Sequence, residues 1–323
     1  MAGFVASTHD ENLLARDTSF IQKISQTAPI QDQTKGSIRV LTQPFPDKTA
    51  LFGILREAAS KNQVVVLHNY VPILAHGELS VEFLQSAYNI SPYVEVEEHD
   101  SVKKQTDNLN PRTPTTIGQF VRDITDPMKS TMILDLPVPR DTVLAEFHNL
   151  DDGSQAMAHT KTLDTATFQL LRELVTDRTW ALLHQAGVLT GWHRDTDGKL
   201  TIILVDRGCK FWIQIRPRAR VTRAEIDLVF EKCLDADEDS LDDLCADVVD
   251  ARTLLLLPRD VGLQPAAAIH GVYTPVPTLA KGSSFWSYDS MHITEVTRRH
   301  DAHAGDMATN VDHISKNTLI AFI

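Results

Sequence analysis

The most constraining feature of the sequence is a change of rhythm at about residue 178. From there RTWALLHQAGVLTGWH, KLTIILV and CKFWIQIRP follow one another as apolar runs of strand length with turn residues between them. After a polar interval ARTLLLLP, AAAIHGVYTP and GSSFWSYDS resume the pattern. Runs this short and this evenly punctuated predict a closed antiparallel sheet, a barrel or sandwich. A chain of 323 residues can bury one such core with helical decoration, so a single main domain is the simplest reading.

The first half reads as mixed α and β. SIRVLT, QVVVLHNY, YVEVEE and STMILDLPVP are predicted strands. DKTALFGILREAAS, with Asp47 as N-cap, SVEFLQSAYN and TTIGQFVRDIT are predicted helices, and the proline-punctuated DSVKKQTDNLNPRTPT is predicted as a loop. Residues 1–35 read as a polar arm, residues 36–296 as the main domain, and residues 297–323 as a polar tail ending in an apolar LIAFI. Within the main domain RAEIDLVFEKCL is helical, and a solvated acidic insertion occupies about residues 232–250. No internal repeat is visible.

Thirty-one basic against 43 acidic residues give a net charge of −12, which disfavours nucleic acid and anionic membrane and suits a cationic partner. Cys209, Cys233 and Cys245 form no CxxC pair, so neither a disulfide framework nor a thiolate zinc site is signalled. With no secretory pattern at the N-terminus and no membrane-spanning apolar run, the expected location is cytoplasmic or nuclear. Nothing in the sequence sets the oligomeric state.

The residues that carry chemistry are His193 and Asp195 in Gly191-Trp192-His193-Arg194-Asp195, and His270 in Ala268-Ile269-His270-Gly271-Val272. Two histidines and one carboxylate can take one face of an octahedral iron and leave positions open for a co-substrate and O2. In a strand, residues i and i+2 share a face, so His193 and Asp195 can both point into a barrel while His270 arrives from a distant strand. By the same alternation Arg194 should face away and be exposed. Asp197, beside Gly198, is expected to shape a turn. Lys210 stands inside the apolar run CKFWIQI, where an unpaired ammonium would be costly to bury, so a buried anion is its natural partner.

These words occur together in a recognisable order. TxxHxD runs from Thr190 to Asp195, Gly208-Cys209-Lys210-Phe211-Trp212 follows, IRP closes at Pro217, LLLLPRD precedes HGVYTP, and SSFWSY ends the core. With VVVLHNYVP, SVEFLQSAY, TTIGQFV and ILDLPVP ahead of them, the stretch from about Val64 to Thr294 resembles the JmjC (jumonji C) branch of the cupin-like Fe(II)/2-oxoglutarate oxygenases. The resemblance implies a mainly β fold with helical decoration around a double-stranded β-helix (jelly-roll) core. It implies Fe(II) held by His193, Asp195 and His270, with 2-oxoglutarate as co-substrate and O2 as oxidant. Lys210 matches the residue that pairs with the distal carboxylate of 2-oxoglutarate, Thr190 a hydroxyl on the same carboxylate, and Ser284 a polar co-substrate contact. No tyrosine matches the family's additional N-terminal contact. The implied activity is hydroxylation of a protein side chain or small molecule, with methyl-lysine demethylation or a catalytically silent interaction module as alternatives.

Other readings of the same words fail. HRD at residues 193–195 lacks the asparagine that a kinase catalytic loop needs five residues later, since position 200 is leucine, and no GxSxG elbow marks a serine hydrolase. His68 and His184, in apolar runs, are expected as satisfied core residues. His300 and His303 form an HxxH pair that could hold a second metal, and His292 could line the mouth of the site. Trp192, Trp212 and Trp286 are expected to fill the barrel interior or rim.

Overall fold

The structure is a computed structural model. It describes residues 38–72, 78–101, 112–138, 145–159, 179–217 and 249–304, with a few isolated positions besides. Nearly all of the polar arm, the predicted helix RAEIDLVFEKCL, the acidic insertion up to residue 248 and the end of the tail lie outside the described residues, and the strand Val249–Leu256 begins within the last two residues assigned to the insertion.

The described fold is mainly β. Its strands are β1 (Ile38–Leu41), β2 (Val64–Leu67), β3 (Glu95–Asp100), β4 (Arg112–Thr116), β5 (Thr131–Pro137), β6 (Thr179–His184), β7 (Val188–His193), β8 (Leu200–Arg207), β9 (Lys210–Pro217), β10 (Val249–Leu256), β11 (Val261–Gln264), β12 (Ile269–Thr274) and β13 (Thr278–Phe285). Five α-helices accompany them among the described residues: α1 (Lys48–Ser60), α2 (Val81–Tyr88), α3 (Ile117–Arg122), α4 (Asp152–His159) and α5 (Met291–Ala304). The strands form a nine-stranded sheet in the order β1-β2-β11-β8-β13-β6-β5-β3-β4 and a four-stranded sheet in the order β10-β9-β12-β7. All pairings are antiparallel except β1 with β2.

The central core lies between the sheets. Ile203, Val205 and Ala280 of the larger sheet meet Trp212, Leu254, Leu256 and Val272 of the smaller one in one buried cluster. Each aliphatic side chain taken fully out of water there contributes about 1.5–3 kcal/mol. The other face of the larger sheet is covered by helices. Leu51, Leu55, Ala58 and Ala59, at helical spacing along α1, pack with Val65, Leu67, Leu204 and Leu263. Leu84 of α2 and Ile117 and Phe120 of α3 pack with Ala181, Leu183 and Leu279. Asp47 caps α1 as its position predicts, accepting from the Ala50 amide at 3.0 Å.

Three elements differ from expectation. RTPTT forms β4 inside the predicted loop, and its Pro114 is tolerated because β4 is the edge strand of its sheet. The boundary expected after residue 296 falls inside α5, which continues to Ala304. His68 is no core residue: its side chain is 38 % exposed, with Nδ1 2.8 Å from Asp260. No helix among the described residues is long and apolar enough to cross a membrane.

Candidate metal centre

Strands β7 and β12 lie side by side, with His193 opposite His270 and Thr190 opposite Val272. Between these pairs β7 spends three residues where β12 spends two, so Gly191 and Trp192 form a bulge. Strict alternation from Thr190 would turn His193 to the other face, and the extra residue restores it to the side of His270. The bulged Trp192 packs over Gly271, where a Cβ would stand 3.2 Å from its ring. Beyond Asp195 the chain makes a tight turn in which Asp197 and Gly198 both have positive φ. A Cβ on Gly198 would lie 2.8 Å from the Thr294 Cα, so both conformation and space require glycine there.

His193, Asp195 and His270 each offer one ligand atom, all within 4.8 Å of one another. The histidine tautomers follow from their neighbours. His193 Nδ1 is 2.8 Å from the Gly191 carbonyl and His270 Nδ1 is 3.0 Å from the Ala268 carbonyl. A carbonyl can only accept, so each Nδ1 carries the proton and each Nε2 keeps its lone pair. Burial pushes the His270 imidazole below its ordinary pKa despite the Asp195 carboxylate 3.9 Å from its Nε2, favouring the neutral form that binds metals. The indole of Trp212 stacks on the His270 ring at 4.8 Å and 8°, fixing its plane. Such a donor set can hold a metal ion and is compatible with iron.

The carboxylate is held from one side only. Asp195 Oδ2 accepts from the Thr201 hydroxyl and from Gln264 Nε2 at 2.9 Å, which leaves Oδ1 as the oxygen nearest His270. Gln264 is itself oriented by Trp212, whose Nε1 donates to Gln264 Oε1 at 2.7 Å. One indole thus steadies His270 by stacking and Asp195 through an amide. Gln264→Leu should lower metal affinity by about 10- to 100-fold, the usual cost of losing a group that orients a ligand. Competition with a chromophoric chelator measures this, and unchanged affinity would show that Thr201 alone suffices.

Lys210 lies on the same face of β9 as Trp212 and is fully buried. Its Nζ reaches His184 Nδ1 at 3.0 Å and Thr274 Oγ1 at 3.1 Å. Among the described residues no carboxylate lies within ion-pair distance of it. Burial therefore pulls its pKa down to about 7. His184 is only half satisfied, contrary to expectation: its Nε2 is buried with no hydrogen-bond partner among the described residues. A buried donor left unpaired costs about 1–3 kcal/mol, so this end of the inter-sheet space has a deficit of negative charge and of acceptors.

The loop after His193 is anchored from behind. Arg194 is wholly buried, against the expectation of exposure, because its outward path meets α5, where it bonds Asp301 and His300. Asp197, in the turn as expected, accepts from Arg298, while Thr294 Oγ1 donates to the Gly198 carbonyl at 2.7 Å and Trp286 Nε1 to that of Asp197 at 3.2 Å. His300 is thus committed to a cationic neighbour, and the side chain of His303 lies outside the described residues.

The remaining candidates lie near, with differing links. Ser284 is paired with Thr201 across β13 and β8, its Oγ 3.4 Å from the Thr201 hydroxyl that holds Asp195. Thr190 is half-buried on β7, and the hydroxyl that touches Lys210 is that of Thr274. Thr274, Gln264 and Thr201 escaped the sequence reading. The alternation His270, Val272, Thr274 along β12 is the signal that could have found the first of them. Compared with known protein families and with curated proteins, the chain matches none.

Proposed function

We propose that this chain is an Fe(II)- and 2-oxoglutarate-dependent oxygenase with a jelly-roll core. The observation that carries the reading is the combination of a His-Asp-His group with a fully buried lysine that meets no carboxylate among the described residues, in one inter-sheet space. The strand order supports the core assignment: β11-β8-β13-β6 faces β10-β9-β12-β7, with the chain crossing between sheets except at the β9–β10 pair, as in a double Greek key.

His193, Asp195 and His270 would hold the iron. When bound, iron with 2-oxoglutarate and O2 supplies oxidising chemistry in which the keto acid becomes succinate and CO2 and one oxygen atom enters a substrate C–H bond. The protein's own part is orientation and exclusion of water. The two Nδ1–H bonds and the Trp212 stack aim the imidazoles, Thr201 and Gln264 hold one carboxylate oxygen, and Lys210 offers an ammonium to a dianionic co-substrate. The substrate is a peptide or small molecule, and the surplus of acidic residues suits a cationic one.

Protein loaded anaerobically with Fe(II) should convert 2-oxoglutarate to succinate on exposure to O2. Adding cell extract or methyl-lysine peptides should then yield products heavier by one oxygen. No succinate from metal-loaded protein would overturn the proposal, and formaldehyde with methyl-lysine loss would replace hydroxylation by demethylation.

A further inference from the structure

Three polar side chains line the end of the larger sheet that faces Asp195. Gln264, Thr201 and Ser284 stand side by side on β11, β8 and β13, in one register row across three strands. Thr201 alternates with Ile203, and Ser284 with Ala280, so both hydroxyls face the inter-sheet space. Gln264 and Thr201 are buried and both donate to Asp195 Oδ2. Ser284 is half-buried, and its Oγ stands 3.4 Å from Thr201 Oγ1. No hydrogen bond among the described residues links it to the carboxylate itself.

The protons can be assigned. Each hydroxyl carries one, and a carboxylate that serves as a metal ligand is ionised and accepts only. The Thr201 proton therefore lies on the Asp195 side, which leaves the Thr201 oxygen as an acceptor. Among the described residues the donor that reaches this oxygen is the Ser284 hydroxyl, whose own proton is thereby committed. The order of donation runs from Ser284 to Thr201 to Asp195, and a hydroxyl that accepts a hydrogen bond donates a stronger one.

We infer that Ser284 is a positioning residue for the metal centre, acting through Thr201 on Asp195 Oδ2 and so keeping Oδ1 turned toward the histidines. This rests on the metal-binding part of the reading proposed above. It gives Ser284 a role other than contact with the co-substrate, whose carboxylates need a donated proton that Ser284 has already given to Thr201.

The test is a double-mutant cycle read by Co(II) affinity, in competition with a chromophoric chelator, and by the visible spectrum of the bound ion. Ser284→Ala removes one oxygen and little bulk. It should weaken Co(II) about 2- to 10-fold, the value of one neutral hydrogen bond, and shift the spectrum. Ser284→Thr, which keeps the hydroxyl, should restore both. Thr201→Val should weaken Co(II) about 10- to 100-fold, and in that background Ser284→Ala should add nothing further. Calorimetry of Co(II)-saturated Ser284→Ala with 2-oxoglutarate should give wild-type affinity. Unchanged Co(II) affinity and spectrum in Ser284→Ala, losses that add in the double variant, or weakened 2-oxoglutarate binding at wild-type metal affinity would each overturn the role. A wild type that binds no Co(II) would overturn the metal centre and this role together. A wild type that binds Co(II) and no 2-oxoglutarate would overturn the oxygenase reading, with the role of Ser284 decided by the cycle alone.

Discussion

Replacing any one of His193, Asp195 and His270 should abolish useful metal binding while leaving a folded protein. The groups that merely orient these ligands are worth about 10- to 100-fold in affinity, so loss of a ligand itself should cost on the order of 100-fold or more. The cleanest variant is Asp195→Asn, which keeps the shape and hydrogen bonding of a side chain already held by Thr201 and Gln264 and removes only its charge. His270→Ala is harsher, because it also empties the space beneath Trp212. Anaerobic titration with Fe(II), and with Co(II) for its visible spectrum, measures the loss. Unchanged affinity in all three variants would sink the metal centre.

Lys210→Met should separate folding from binding in opposite directions. The lysine ordinarily keeps its proton to 10.5 but in the fold only to about 7, because burial opposes the charge. Between those values the unfolded chain binds more protons than the folded one, so stability rises with pH. The penalty is fully present below pH 7 and is gone above 10.5. Methionine has similar bulk and no charge, so without ligand the variant should be more stable than wild type at pH 7, on the order of 1–4 kcal/mol, with the difference vanishing toward pH 10.5. Urea denaturation across this range gives the comparison. The same variant should bind 2-oxoglutarate about 10- to 150-fold more weakly, the value of a hydrogen bond to a charged group. A variant that loses stability at pH 7 and keeps its affinity would make the lysine structural.

Much of the site is legible in the sequence because its signals are local. HxD needs only the two-residue period of a strand, His270 stands in an apolar run, and a lysine amid CKFWIQI is conspicuous by burial cost alone. What escaped depends on contacts distant in sequence. Gln264 lies on β11, four residues long and half of them glycine and glutamine, so no apolar pattern announces it. The bulge in β7 is defined against β12 and has no residue signature beyond Gly191. Arg194 departs from the expected exposure because alternation tells which way a side chain leaves a strand, and says nothing of whether a helix waits there. The strands of the core were legible from their apolar runs, while β4, polar and at an edge, was not.

The anchoring of Arg194 has a thermodynamic consequence. Its neighbours on either side are two of the three candidate ligands, and its guanidinium ends on residues more than a hundred positions later in the chain. Helix α5 and a metal bound by those ligands would therefore act on one short loop from opposite faces, each finding its partner already shaped when the other is in place. By reciprocity, the factor by which docking of the helix strengthens metal binding is the factor by which the metal strengthens docking of the helix. The carboxyl end of the described chain is in this sense an effector of the candidate metal centre carried within the same polypeptide.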